Sequence, residues 1–150
     1  RNFGMETKIA RLSLIYGPGI SVKDERAMGD FMRKALIDKH LKLFDKGEAL
    51  RTYCYITDAL KMMLGILLRG KETVYNVGGI ETKSVYEVAK LIADKCGVTC
   101  EIGDSEMTDA PSFVKMDISK VCREFKVSEF VSLSEGLDKT IAWNKEAGYA

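Results

Sequence analysis

From Thr7 to Ile15 the chain carries aliphatic and β-branched residues with little clean alternation, a pattern that predicts a strand covered on both faces. Gly17, Pro18 and Gly19 then stop it at a sharp turn, since proline fixes its own φ and glycine accepts angles other residues avoid. Ile20 to Glu25 reads as a polar connection, and Met28, Phe31, Met32, Ala35 and Leu36 recur at the spacing of an amphipathic helix ending near Lys39. Leu41 to Phe44 and Arg51 to Ile56 read as short strands joined by a turn at Asp45 to Glu48, together a hairpin-like unit with Tyr53 and Tyr55 on one face.

Thr57 or Asp58 is expected to cap a helix whose body, Ala59 to Leu68, is apolar on nearly every side and therefore expected to be sandwiched. Thr73 to Val77 predicts a strand closed by Gly78 and Gly79. Ser84-x-x-Glu87 is a capping box for a helix through Ala93, which Gly97 should end. Val98 to Ile102 reads as a short strand, and Gly103 to Met116 as a polar, acidic loop containing Pro111. Asp117 should cap a helix with Ile118, Val121, Cys122 and Phe125 inward, and Ser132-x-x-Glu135 a last one with Leu133, Leu137 and Ile141 inward.

Composition narrows the function classes. Of 150 residues, 46% are hydrophobic and 30% charged, which fits a globular core, and 23 Lys and Arg against 22 Asp and Glu leave no electrostatic footprint for nucleic acid or an anionic membrane. The longest apolar run, Met62 to Leu68, is interrupted by Gly65 and is too short to span a bilayer. The cysteines Cys54, Cys96, Cys100 and Cys122 include no C-x-x-C pair, and the single histidine, His40, sits in a charged stretch away from them. This argues against a zinc site and points to buried or idle thiols in a reducing, cytoplasmic setting. The first strand starts close to Arg1 and few other segments could serve as its parallel partners, so the chain is expected to be a piece of a longer protein.

No glycine-rich dinucleotide loop, P-loop, G-x-S-x-G elbow or H-E-x-x-H helix occurs in the sequence, so catalysis by this stretch alone is not expected. Tyr86 and Lys90 have the Tyr-x-x-x-Lys spacing by which a lysine lowers a tyrosine's pKa. Without a nucleotide loop upstream they read as a plain surface pair. Arg26, before the amphipathic helix, and Arg51, entering the tyrosine-bearing strand, could each grip phosphate bidentately. On local pattern alone each is more simply a solvated surface charge.

Six motifs in order change that balance. They are Arg11-Leu12 through Tyr16-Gly17-Pro18-Gly19, Arg51 to Asp58, Val74-Tyr75-Asn76-Val77-Gly78-Gly79, Ser84 to Ile92, Asp117-Ile118-Ser119-Lys120, and Ser134-Glu135-Gly136-Leu137 to Trp143. Together they resemble the C-terminal half of the extended short-chain dehydrogenase/reductase family, the nucleotide-sugar epimerases, dehydratases and decarboxylases. Lys23 to Arg26 is most similar to the UDP-glucuronate decarboxylase and dTDP-glucose 4,6-dehydratase branch.

The resemblance implies a Rossmann-type fold with a small mixed α/β substrate-binding domain. Residues 1–19 would be the last strand and turn of a truncated dinucleotide-binding domain, and 20–150 the substrate-binding domain. It implies NAD or NADP in the full-length protein, not held by this piece alone, and transient oxidation of a sugar carbon. By the same analogy Ile15, Tyr16 and Gly17 would border the nicotinamide, Arg26 would reach the cofactor or another phosphate-bearing ligand, and Arg51 would hold the diphosphate of a nucleotide-diphosphate sugar. The implied partners are that sugar nucleotide and the missing N-terminal half, with a homodimer open to it. A non-catalytic sugar-nucleotide or protein-binding module is the alternative. The family commonly has Asn where Leu14 stands and a second basic residue near Val114, where this chain offers the adjacent Lys115.

Overall fold

The computed structural model describes residues 3–105 and 112–148. In chain order the elements are β1 (Ile9–Leu12), β2 (Leu14–Tyr16), α1 (Ala27–Leu36), β3 (His40–Lys42), β4 (Leu50–Tyr55), α2 (Ile56–Arg69), β5 (Val74–Val77), β6 (Glu81–Ser84), α3 (Val85–Cys96), β7 (Thr99–Glu101), β8 (Phe113–Val114), α4 (Ser119–Phe125) and α5 (Leu133–Glu146). This is the mixed α/β arrangement that the resemblance implies, but the parallel pairing corrects the expectation that few segments of this chain could partner the first strand.

The single strand expected over Thr7 to Ile15 is in fact two. Ser13 breaks it, and the halves pair with different partners: β1 runs parallel to β5 from Ile9↔Val74 to Leu12↔Val77, and β2 runs parallel to β4 from Leu14↔Tyr53 to Tyr16↔Tyr55. It is also not covered on both faces, because Ile9, Leu12 and Leu14 are exposed. The hairpin-like unit is overturned as well. β3 pairs in parallel with β7, His40↔Thr99 to Lys42↔Glu101, while β4 pairs with other strands altogether. Two apolar runs separated by a turn carry a local signal, but burial of Leu41 against the α1–α3 layer decides the pairing.

β4 is the hub. One edge takes β6 antiparallel, Leu50↔Ser84 to Tyr53↔Glu81, so β2 (at Tyr53 to Tyr55) and β8 (at Leu50 and Arg51) share the other. Neither β6 nor β8 is legible as a strand in the sequence: β6 is polar at all four positions, Glu81, Thr82, Lys83 and Ser84, the last adjoining α3, and β8 is short and borrowed from a loop. Residues 106–111 of that loop, Pro111 included, lie outside the described residues.

Helix ends follow their capping chemistry. The box at α3 is complete, with Glu87 N–H donating to Ser84 Oγ at 3.0 Å and Ser84 N–H to Glu87 Oε2 at 2.8 Å, and Gly97 at φ 69° ends the helix three residues beyond Ala93. Ser132 likewise caps α5 by accepting from Glu135 N–H at 3.2 Å. Asp117 accepts from Ser119 N–H at 2.8 Å, although the N-cap position itself is Ile118. α2 begins earlier than expected. Its N-cap is Tyr55, without a side-chain cap bond, and Asp58 lies inside the first turn.

Two apolar cores result. One gathers α1, α3 and α5 with Leu41, Tyr53 and Tyr55, and the other packs α2 and α4 against β5, with Met62, Ile66, Tyr75, Val77 and Val121 buried. The sandwich expected for α2 is half-formed. Ala59, Met62 and Ile66 face the core, whereas Leu60, Leu64, Leu67 (68% exposed) and Leu68 (75% exposed) form an uncovered stripe.

Candidate functional site

A pocket of about 460 Å³ opens beside the C-terminal end of β2. Ile15 and Tyr16 from β2, Arg26 ahead of α1, and Arg51 and Tyr53 from β4 all line it. The strand period explains the last pair: Arg51, Tyr53 and Tyr55 alternate with Thr52 and Cys54, so guanidinium and phenol project to one face. Leu14, Ile20, Met28, Phe31, Val85 and Val88 make most of the remaining wall apolar, and Ser13 also lines it.

The two arginines differ in how they are held. Arg51 Nη1 donates to the Leu50 carbonyl at 2.8 Å and the Ser112 carbonyl at 2.9 Å, and Nη2 to Ser112 Oγ at 2.7 Å. Its guanidinium is therefore preset, with Nε and part of Nη2 left to meet a ligand. Arg26 is a solvated arm whose side chain is 84% exposed, and its Nε and Nη2 donate to the Asp24 carboxylate, the latter at 2.5 Å.

These hydrogen bonds from the Arg26 side chain, with a further one from its backbone N–H, hold the Asp24 carboxyl at about 2, below its ordinary 3.8. A depressed carboxylate favours the fold above its unfolded value, and that contribution is lost as pH falls through the folded one. NMR titration of Asp24 should give a midpoint of about 2, returning toward 3.8 in Arg26→Ala. An unchanged midpoint in the variant would remove Arg26 as the cause.

Tyr53 is pushed up to about 12 and Tyr16 still higher, in both cases chiefly by burial, and for Tyr16 also by Glu81. Both phenols are neutral near pH 7 and can exchange hydrogen bonds. The described lining contains no carboxylate, histidine, cysteine or lysine. The arrangement grips an anion at its rim and covers an apolar body below.

Four of the five site residues read from the sequence thus meet at one pocket. Gly17 does not line it; at φ +150° it turns the chain away from β2 against Ile56 and Tyr55. Leu14 joins the wall, and Lys115 lines a separate open groove on the Thr52 side of the sheet. Tyr53 was not read as part of the site, although its place two residues along the strand from Arg51 was the signal that could have found it. Ser112, which orients Arg51 from across the chain, left no sequence signal. The Tyr86–Lys90 pair stays outside the pocket, and Lys90 is bonded to Asp94 at 3.2 Å.

The family model described as "NAD dependent epimerase/dehydratase family" matches residues 1–78. UDP-glucuronic acid decarboxylase 1 of Xenopus tropicalis is 30% identical over 139 residues, covering 92% of this chain and 33% of that protein. Among solved structures, UDP-glucuronic acid 4-epimerase from Bacillus cereus, in complex with UDP-glucuronic acid and NAD, superposes with a TM-score of 0.75 at 28% identity, over 97% of this chain and 47% of that one. UDP-glucose 4-epimerase from Thermotoga maritima, with UDP-glucose, gives 0.85 at 23% identity over 98% and 48%, a likeness of fold. The chain therefore spans from a third to just under half the length of these relatives.

Proposed function

This chain belongs to the NAD dependent epimerase/dehydratase family, and from that membership we propose that it is the C-terminal, sugar-nucleotide-binding portion of an NAD-dependent dehydratase, decarboxylase or epimerase. The observation that carries the proposal is the pocket itself: a preset Arg51 and a reaching Arg26 stand over an apolar floor of a size suited to a nucleotide-diphosphate sugar. Arg51 would hold the diphosphate, and Arg26 would close on it or on the cofactor after leaving Asp24.

Ile15 and Tyr16 would form the apolar edge against which a nicotinamide ring rests. The described residues fit that edge and supply no glycine-rich strand-to-helix turn for the dinucleotide phosphates. NAD, when bound, would take hydride from a sugar carbon and return it. The chain's own share is to place the sugar and exclude water.

The surface leaves room for a further half. Among the described residues β1 is hydrogen-bonded on one edge alone, to β5, its Ile9 and Leu12 are exposed, and α2 carries the uncovered leucine stripe. An open strand edge and a leucine face are surfaces proteins ordinarily cover. The remaining half of such an enzyme would cover both, with residues 1–19 continuing its sheet and 20–150 closing over substrate.

The test is calorimetry and turnover with UDP- and dTDP-sugars, on this chain and on the full-length protein containing it. Binding and NAD-dependent conversion by the full-length protein are the expected result. Tight binding by both with no conversion would replace the proposal by a non-catalytic binding module.

A further inference from the structure

Residues 131–133, which lead into α5, are held by side chains from three other elements. Asp58 in the first turn of α2 accepts from Val131 N–H at 2.8 Å, and Glu81 at the start of β6 accepts from Leu133 N–H at 2.7 Å. The Tyr16 hydroxyl donates to the Leu133 carbonyl at 3.3 Å. These bonds are additional to helix capping, since Ser132 already caps α5.

Asp58 is 2% exposed, yet its Oδ1 has no hydrogen-bond partner among the described residues, and the Lys61 ammonium is 3.8 Å away, beyond hydrogen-bond reach. A carboxylate oxygen removed from water without such a bond is costly. Beside it lies a cavity of about 10 Å³, walled by Tyr16, Cys54, Asp58, Glu81 and Val131. That is about the space one water needs. No three His, Cys, Asp or Glu side chains converge as metal ligands among the described residues. Burial, with the Asp58 charge second, pushes the Cys54 thiol up to about 12, so it stays protonated.

Tyr16 and Tyr53 separate this cavity from the large pocket, for both line both, and of the two Tyr16 reaches α5. Its ring stands edge-on to Tyr55, with centroids 5.7 Å apart, and its hydroxyl touches α5 where Gly136 leaves room; a Cβ there would overlap that hydroxyl and lie 2.8 Å from Tyr55 Cδ2.

We propose that one ordered water, hydrogen-bonded to Asp58 Oδ1, fills this cavity, and that Asp58 and Glu81 are positioning residues that latch residues 131–133 against Tyr16 and so set the back wall of the large pocket. A high-resolution crystal structure should show a single water about 3 Å from Asp58 Oδ1. An empty cavity would overturn the water. Amide exchange reads the latch. Asp58→Leu, of similar volume, should speed Val131 exchange roughly tenfold or more, the change expected for one lost hydrogen bond, while Asp58→Asn restores protection. Ile92 in α3 should be unaffected by either. Unchanged Val131 protection in a folded Asp58→Leu protein would overturn the latch. Should that variant fail to fold, Glu81→Ala puts the same question to Leu133.

The pocket-wall part rests on the nucleotide-sugar reading. Glu81→Ala should weaken UDP-sugar binding several-fold while Arg51 and Arg26 are intact. Unchanged affinity with a deprotected Leu133 amide would overturn that part. Absence of binding by the wild-type full-length protein would overturn the nucleotide-sugar reading instead, and leave the exchange result standing.

Discussion

Arg51→Ala in the full-length protein is expected to lower sugar-nucleotide affinity about ten- to hundred-fold, because a hydrogen bond to a charged group is worth about 1.5–3 kcal/mol and about 1.4 kcal/mol is a factor of ten. The fork is held ready by the Leu50 and Ser112 carbonyls and by Ser112 Oγ, so little ordering remains to be done when a diphosphate arrives. Truncation also removes the side-chain ties from Arg51 to Ser112, next to β8, so the loss of affinity must be separated from loss of structure. Arg51→Lys does this: it keeps the charge and loses the planar fork, and affinity should fall most of the way toward that of Ala. Ser112→Ala removes one tie alone and should change affinity by a few-fold at most. Calorimetry with a UDP-sugar, beside thermal unfolding of each variant, is the measurement. Affinity in Arg51→Ala within twofold of wild type would take Arg51 out of the site.

The arginines show where sequence reasoning reaches and where it stops. That Arg51 could grip a phosphate and that Tyr53 and Tyr55 share a strand face are local features, and both were legible; that Tyr53 joins Arg51 at the pocket was not read. Which face that strand presents to a cavity depends on β2 and β6 arriving from elsewhere, and β6 is too polar to announce itself. Likewise Ser84, Glu87 and Gly97 delimit α3 because capping depends on residues within one turn. The hairpin reading of Leu41 to Phe44 with Arg51 to Ile56 failed because register and partner are chosen by the core they bury, and β7 lies nearly sixty residues downstream of β3. α2 was read as sandwiched from its composition. Composition reports that both faces are apolar, but not whether both are covered within this chain. The latch was invisible for the same reason as Ser112: Asp58 reads as a helix cap, and its main-chain partner is seventy-three residues away.

Gly17→Ala should be the most destabilising single-methyl change in the turn after β2, at about 2–6 kcal/mol. Two costs add. At φ +150° an alanine is strained, worth about 1–3 kcal/mol. Its Cβ would also overlap Ile56 Cγ2, at 3.0 Å from Ile56 Cβ and 3.3 Å from Tyr55 Cε2. Ile56 is β-branched and opens α2, so its χ1 has little freedom to yield, and overpacking of this kind costs about 1–3 kcal/mol more. Against a total stability of about 5–15 kcal/mol such a change can unfold much of the population. Gly19→Ala is the matched control. Gly19 has φ +96° with nothing within 4 Å of a built Cβ, so strain acts there without the clash, and a loss of about 1–3 kcal/mol is expected. Urea unfolding of both variants separates the two costs, provided the denaturant slope is unchanged. Equal losses at the two positions would show that Ile56 makes way. Because Gly17 follows Tyr16 directly, any shift it forces also moves the wall shared by the pocket and the latch, so ligand affinity should fall in Gly17→Ala and hold in Gly19→Ala.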